Sequence, residues 1–170
     1  LPVPVFDPMT VPVLDVRHLS VQFKTESGRI HAVRNVSFQV PRGQTLGIVG
    51  ESGSGKSVTA LTVMDLVPNP PGEITAGEIF FRPDEDTPAV NLRSLSPSTM
   101  QKLRGDQISM IFQEPMSSLN PVYTCGFQLT EAILQHQDVS SEAAADQAIA
   151  LLQEVKLLDR DDELAATIAQ

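Results

Sequence analysis

Cysteine, basic residues and long apolar runs are all scarce in this 170-residue chain, and each scarcity excludes a class of protein. One cysteine, Cys125, can form neither an intramolecular disulfide nor, by itself, a cysteine-based zinc site, which suits a reducing compartment. It reads as a small packing residue. Lysine and arginine number 12 against 21 aspartates and glutamates, a net charge of −9, and residues 138–170 carry eight acidic and two basic side chains. A nucleic-acid groove needs the opposite sign, so no nucleic-acid partner is expected. No stretch reaches the roughly 18 apolar residues of a membrane span, and no basic segment precedes an apolar one near the start, so neither a transmembrane segment nor a secretory signal is expected. His18, His31 and His136 lack metal-ligand spacing. The acidic group Asp159, Asp161, Asp162 and Glu163 reads as a solvated face.

What is present is concentrated in one run. Gly50-Glu51-Ser52-Gly53-Ser54-Gly55-Lys56-Ser57 fits Gly-x-x-x-x-Gly-Lys-Ser/Thr, the phosphate-binding P-loop, and follows the apolar segment 45–49. Backbone N–H groups of such a turn can wrap a polyphosphate, and Gly50, Gly53 and Gly55 allow dihedrals and approaches that a Cβ would obstruct. The helix predicted to start at Lys56 aims its unpaired N–H donors and partial positive charge at the phosphates. Lys56 adds a full charge, and the Ser57 hydroxyl sits where this motif holds Mg²⁺.

Alternation of apolar and polar residues over 14–23 and again over 30–40, around Glu26-Ser27-Gly28, predicts a β-hairpin ahead of the P-loop. A buried strand is expected at 45–49, a helix over 56–67 stopped by Pro68, Pro70 and Pro71, and a short strand at 77–81. Ser96-Pro97 reads as an N-cap with proline at the first helical position, opening a short helix to about residue 103. A second central strand is expected at 107–112, ending on Gln113, and helices follow over 124–137 and from 141. The first 12 residues, with three prolines in the first eight, read as an extended, mobile leader, with Met9 as an alternative start. The expected organisation is a leader over 1–12, a nucleotide-binding core over 13–120 and an incomplete helical subdomain over 121–170.

The segment Ile108-Ser109-Met110-Ile111-Phe112-Gln113-Glu114-Pro115-Met116-Ser117-Ser118-Leu119-Asn120-Pro121, taken with the P-loop, resembles the Q-loop of ABC transporter ATP-binding subunits, most closely the peptide and nickel importer branch. Residues 33–40, 77–79 and Arg104-Gly105 also match, so the resemblance spans about 13–131. It implies an α/β fold of the P-loop NTPase class, the ABC-type nucleotide-binding domain, with an antiparallel β-subdomain in front and the start of a helical subdomain behind. It further implies ATP and Mg²⁺ as cofactors. Gly50, Glu51, Ser52, Gly53, Ser54, Gly55, Lys56, Ser57 and Val58 then hold the nucleotide, Phe23 stacks on adenine with Val33 beside the base, and Ser57 and Gln113 serve the metal. Gln113 also orients the attacking water and opens the linker that moves with the membrane partner.

By the same resemblance, the partners are transmembrane permease subunits, a second ATP-binding domain and, indirectly, an extracytoplasmic solute-binding protein. The place is the cytoplasmic face of the membrane, held peripherally, and the reaction is ATP hydrolysis coupled to import of peptides or a related solute. The family's signature loop Leu-Ser-Gly-Gly-Gln needs paired glycines, and no glycine follows Gly126. No apolar strand ending in Asp-Glu follows Gln113 either. The 170 residues therefore read as a truncated front half that binds better than it hydrolyses. The alternatives are a MgATP-binding module without turnover and a soluble P-loop kinase, the latter opposed by the strands that precede the P-loop.

Overall fold

The computed structural model describes residues 11–113 and 119–158. The chain forms two compact units, Leu1–Gln107 and Ile108–Gln170. The expected leader, apart from positions 11 and 12, and the acidic group from Asp159 onward lie outside the described residues.

The first unit is built on the predicted hairpin. Strands β1 (Pro12–Thr25) and β2 (Gly28–Pro41) pair antiparallel, closing at Thr25 opposite Gly28. Strand β3 (Gly72–Phe81) pairs with the other edge of β1, and the two-residue β4 (Val90–Asn91) extends the sheet to the order β2-β1-β3-β4. Alternation places Val16, Leu19, Val21, Ile79 and Phe81 in the core. Full burial of each such apolar side chain stabilises the fold by about 1.5–3 kcal/mol. Register shifts in β1 coincide with His18 and Asn35, which take positive φ of 51° and 49°. There side chains replace ladder bonds: the His18 N–H donates to Ser37 Oγ at 2.8 Å and the Asn35 N–H to Ser20 Oγ at 3.0 Å. Strand β3 is longer than the expected 77–81, because pairing with β1 continues down to Phe23 opposite Gly72.

Two expected strands do not form. Residues 45–49 and 109–112 are irregular, with Val49 91% and Ile111 94% exposed, and Ile108 makes a single bridge position. A strand exists only where neighbours take up its backbone groups, and among the described residues no strand pairs with either segment. Apolar composition alone cannot supply those partners.

Helix α1 (Lys56–Val63) ends four residues before the expected 67. The prolines are not what stops it. The Asp65 N–H donates to Thr62 O and the Leu66 N–H to Leu61 O, with Asp65 at φ 53°, the paired bonds of a Schellman cap. Helix α2 (Pro97–Leu103) starts as predicted, with Ser96 accepting from the Thr99 N–H, and just beyond its end Arg104 donates to Met64 O at 3.2 Å and Asp65 O at 3.1 Å. The Met64 and Asp65 carbonyls, just past the end of α1, are thereby taken up by a guanidinium.

The second unit contains α3 (Cys125–His136) and α4 (Ser141–Glu154), N-capped by Thr124 and Ser140 and packed on each other. Buried Ala144, Ala145 and Ala148 present only small side chains along α4. Gln128 clasps the preceding loop to α3, its Oε1 accepting from the Asn120 N–H and its Nε2 donating to Asn120 O. Tyr123 and Phe127 stack with centroids 4.9 Å apart.

Since Asp65 holds a left-handed conformation that glycine adopts without strain, Asp65→Gly should raise stability by about 0.5–1 kcal/mol. Arg104→Ala should lower it by about 1–3 kcal/mol, since it removes a charged donor from two carbonyls. Urea unfolding midpoints of the two variants measure both effects.

Candidate functional site

The P-loop sits where β2 meets the start of α1. Gly53 and Gly55 have φ of 79° and 92°, and Gly55 is the N-cap residue of α1. A Cβ on Gly55 would collide with the Ala32 carbonyl oxygen and lie 3.4 Å from Val33 Cγ2, so the loop rests directly on β2. Thr59 secures this seat from inside the helix: its buried hydroxyl and its N–H both donate to Gly55 O, at 2.9 and 2.8 Å.

Having glycine at the N-cap has an electrostatic consequence. Ser96, Thr124 and Ser140 each accept a backbone N–H at the start of α2, α3 and α4, whereas α1 has no side-chain cap and no acidic residue in its first turn. The N–H groups of Lys56, Ser57 and Val58 therefore have no intrahelical partner and no capping oxygen. The Lys56 ammonium lies over the loop, donating to Gly50 O and Glu51 O at 2.7 Å each and to Ser54 Oγ at 3.3 Å. Glu51, Ser52, Gly53, Ser54 and Ser57 are exposed, and the Ser54 N–H closes the turn onto Glu51 O at 3.2 Å. A cation, open N–H donors and exposed hydroxyls on one loop suit an oxyanion and the hard cation that accompanies it. Among the described residues, no group of three or more histidine, cysteine or acidic side chains is placed to hold a metal.

Of the other predicted site residues, Val33 is buried, 3% exposed, and lies against Gly55. Phe23 is half-buried on β1, between Ile30 on β2 and Gly72 on β3. Val33 thus lies against the P-loop, and Phe23 stands elsewhere on the same hairpin. Gln113 belongs to the second unit, exposed and in irregular backbone, and residues 114–118 of the Q-loop segment lie outside the described residues. The supports that sequence reasoning missed are Ala32, Thr59 and Gly72. Thr59 carried a signal, a hydroxyl one turn after the N-cap, but Ala32 and Gly72 act through cross-strand and loop contacts that leave no local mark.

An antiparallel β-subdomain leading into a glycine-capped P-loop helix defines a nucleotide-binding fold of the P-loop class. The family assignment follows from comparison: the sequence model described as ABC transporter matches residues 33–169, and the chain belongs to that family. The Bacillus subtilis (strain 168) oligopeptide transport ATP-binding protein OppD is 47% identical over 141 residues, 83% of this chain and 38% of its own length. The glutathione import ATP-binding protein GsiA of Pectobacterium atrosepticum is 47% identical over 145 residues, 85% of this chain and 23% of its own. The B. subtilis dipeptide transport ATP-binding protein DppD is 43% identical over 152 residues, 89% and 44% respectively. The chain thus spans less than half the length of each of these relatives. The fold is shared with MJ0796, a dimeric bacterial ABC transporter cassette, at TM-score 0.69 and 24% identity over 86% of this chain and 59% of that one. The same cassette in a post-hydrolysis state bound to ADP and Pi superposes at TM-score 0.69 with 23% identity.

Gly55→Ala combines a strained positive φ with backbone overlap at Ala32, and should destabilise the protein by about 2–4 kcal/mol. A urea or thermal melt measures the loss, and wild-type stability in the variant would contradict the seat described here.

Proposed function

We propose that this chain is the nucleotide-cradling part of an ABC transporter ATP-binding subunit that hydrolyses ATP to drive import of peptides or a related solute. The observation that carries the reading is the start of α1, where three N–H groups without a capping oxygen and the Lys56 ammonium converge on one exposed loop. The names of the relatives support the importer assignment.

In this reading the loop from Gly50 to Val58 wraps the β- and γ-phosphates. Lys56 exchanges its two carbonyl contacts for phosphate oxygens, which keeps the ammonium partnered in both states. Charge-assisted bonds from backbone donors already in place cost little reorganisation. Ser57 holds Mg²⁺, which spreads the phosphate charge when bound. Phe23 supplies a stacking face for adenine beside Val33, while the role of Gln113, in the second unit, rests on the resemblance of its segment to the Q-loop. Hydrolysis in the family also uses the Asp-Glu strand end and the signature loop, which are not among these residues. The residues present account for binding and positioning.

The working unit in this proposal is a pair of ATP-binding domains on the cytoplasmic face of the membrane, joined to permease subunits and served indirectly by a solute-binding protein. No helix among the described residues is long and apolar enough to cross a membrane.

Lys56→Ala should weaken MgATP binding by roughly 1.5–3 kcal/mol, the value of a charged hydrogen bond. Phe23→Ala should weaken ATP by roughly 0.5–1.5 kcal/mol while leaving inorganic triphosphate unchanged. Calorimetric titration reads both. Unchanged MgATP affinity in Lys56→Ala contradicts the phosphate site, and equal losses for the two ligands in Phe23→Ala return that ring to the core.

A further inference from the structure

We propose that Gly72 and Val67 are positioning residues for the Phe23 ring, so that the base affinity of the nucleotide site is set by the loop after α1 and the first residue of β3, outside any phosphate motif. The inference rests on the nucleotide reading above and adds a determinant to it.

The geometry is specific. Phe23 and Gly72 are direct cross-strand partners, and the adjoining backbone is tied by the Lys24 N–H to Pro71 O at 2.9 Å and the Gly72 N–H to Pro68 O at 2.7 Å. Gly72 is buried. A Cβ there would stand 3.0 Å from Phe23 Cε1, 2.8 Å from Pro68 O and 2.5 Å from Val67 Cγ1. The edge of the ring and the Val67 methyl thus close on the space that a side chain at 72 would take. An aromatic laid over a cross-strand glycine is a stable pairing, because the ring covers backbone that the glycine leaves bare. Val67, whose Cγ1 stands at that same spot, is β-branched and has little χ1 freedom, so it holds the space beside the ring firmly. On the other flank stands Ile30, 57% exposed, and the ring itself is only half-buried.

Packed at one edge beside Gly72 and only half-buried overall, the ring is a preorganised stacking surface. A base that stacks on it does not have to immobilise two side-chain torsions first, which is where preorganisation gains affinity. If the packing at 67 and 72 is lost, the ring is free to leave that position while the P-loop, held separately by Ala32 and Thr59, keeps its geometry.

The test compares Phe23→Ala, Val67→Ala and Gly72→Ala for binding of MgATP and of magnesium triphosphate. Val67→Ala is the decisive variant, since it removes atoms without introducing a clash, whereas a Gly72→Ala protein that fails to fold leaves the decision to Val67→Ala. The expected result is a loss of roughly 2- to 10-fold for MgATP in Val67→Ala and in any folded Gly72→Ala, of the order of a stacking contact, with triphosphate affinity unchanged. If Phe23→Ala lowers ATP affinity selectively but Val67→Ala does not, the positioning role is wrong and the nucleotide reading stands. Equal losses for both ligands in Val67→Ala mean a general structural effect and also overturn the proposal. If Phe23→Ala itself shows no selectivity, the failure lies in the adenine reading on which the proposal rests.

Discussion

Contact between Gly55 and the Ala32 carbonyl is the constraint on which the site depends. It brings the first turn of α1 down onto β2 so closely that no side chain fits between them. The N-cap must therefore be glycine, and a glycine N-cap cannot satisfy the helix's own first N–H groups. Steric fit and open donors are two results of one residue. A serine or aspartate there would close the donors and would not fit the seat.

From that contact the remaining features of the first unit take their roles. The hairpin β1–β2 supplies the floor under the loop and carries Val33 and Phe23 on the same piece of sheet. Strand β3 steadies β1 from the other side and places Gly72 beside the edge of the Phe23 ring. At its far end α1 is closed by the Schellman cap at Asp65 and by Arg104. The helix is thus held at both ends by groups outside it, which suits an element whose N-terminus must present fixed donors to a ligand.

How far this was legible in the sequence differs from element to element. The hairpin and the P-loop are local patterns, period-two alternation about a turn and a fixed glycine spacing, and both are where the sequence placed them. So is the start of α2, marked by its Ser96 cap, and the starts of α3 and α4 fall within a residue of expectation, behind Thr124 and Ser140. The end of α1 was misread because the three prolines looked decisive, whereas the helix stops earlier at an aspartate in a conformation that sequence usually signals with glycine. Segments 45–49 and 109–112 have strand-like composition but no paired neighbours among the described residues, and pairing is a non-local property. Ala32 and Gly72 could not be read at all, since each matters through the atom it lacks, against a partner far away in the chain. Phe23, Val33 and Gln113 were reached by resemblance; Val33 lies against Gly55, Phe23 stands elsewhere on the same hairpin, and Gln113 stands in the second unit.

The central claim is that the uncapped start of α1 is an anion site for a nucleotide triphosphate. The most direct measurement is a titration of ¹⁵N-labelled protein with MgATP, following each backbone amide by NMR. The account predicts that the amides of Gly53 to Val58 shift most and saturate together, with inorganic triphosphate reproducing those shifts but leaving the amide of Phe23 unmoved. Shifts that centre elsewhere, or P-loop amides that do not respond at saturating MgATP, would contradict it.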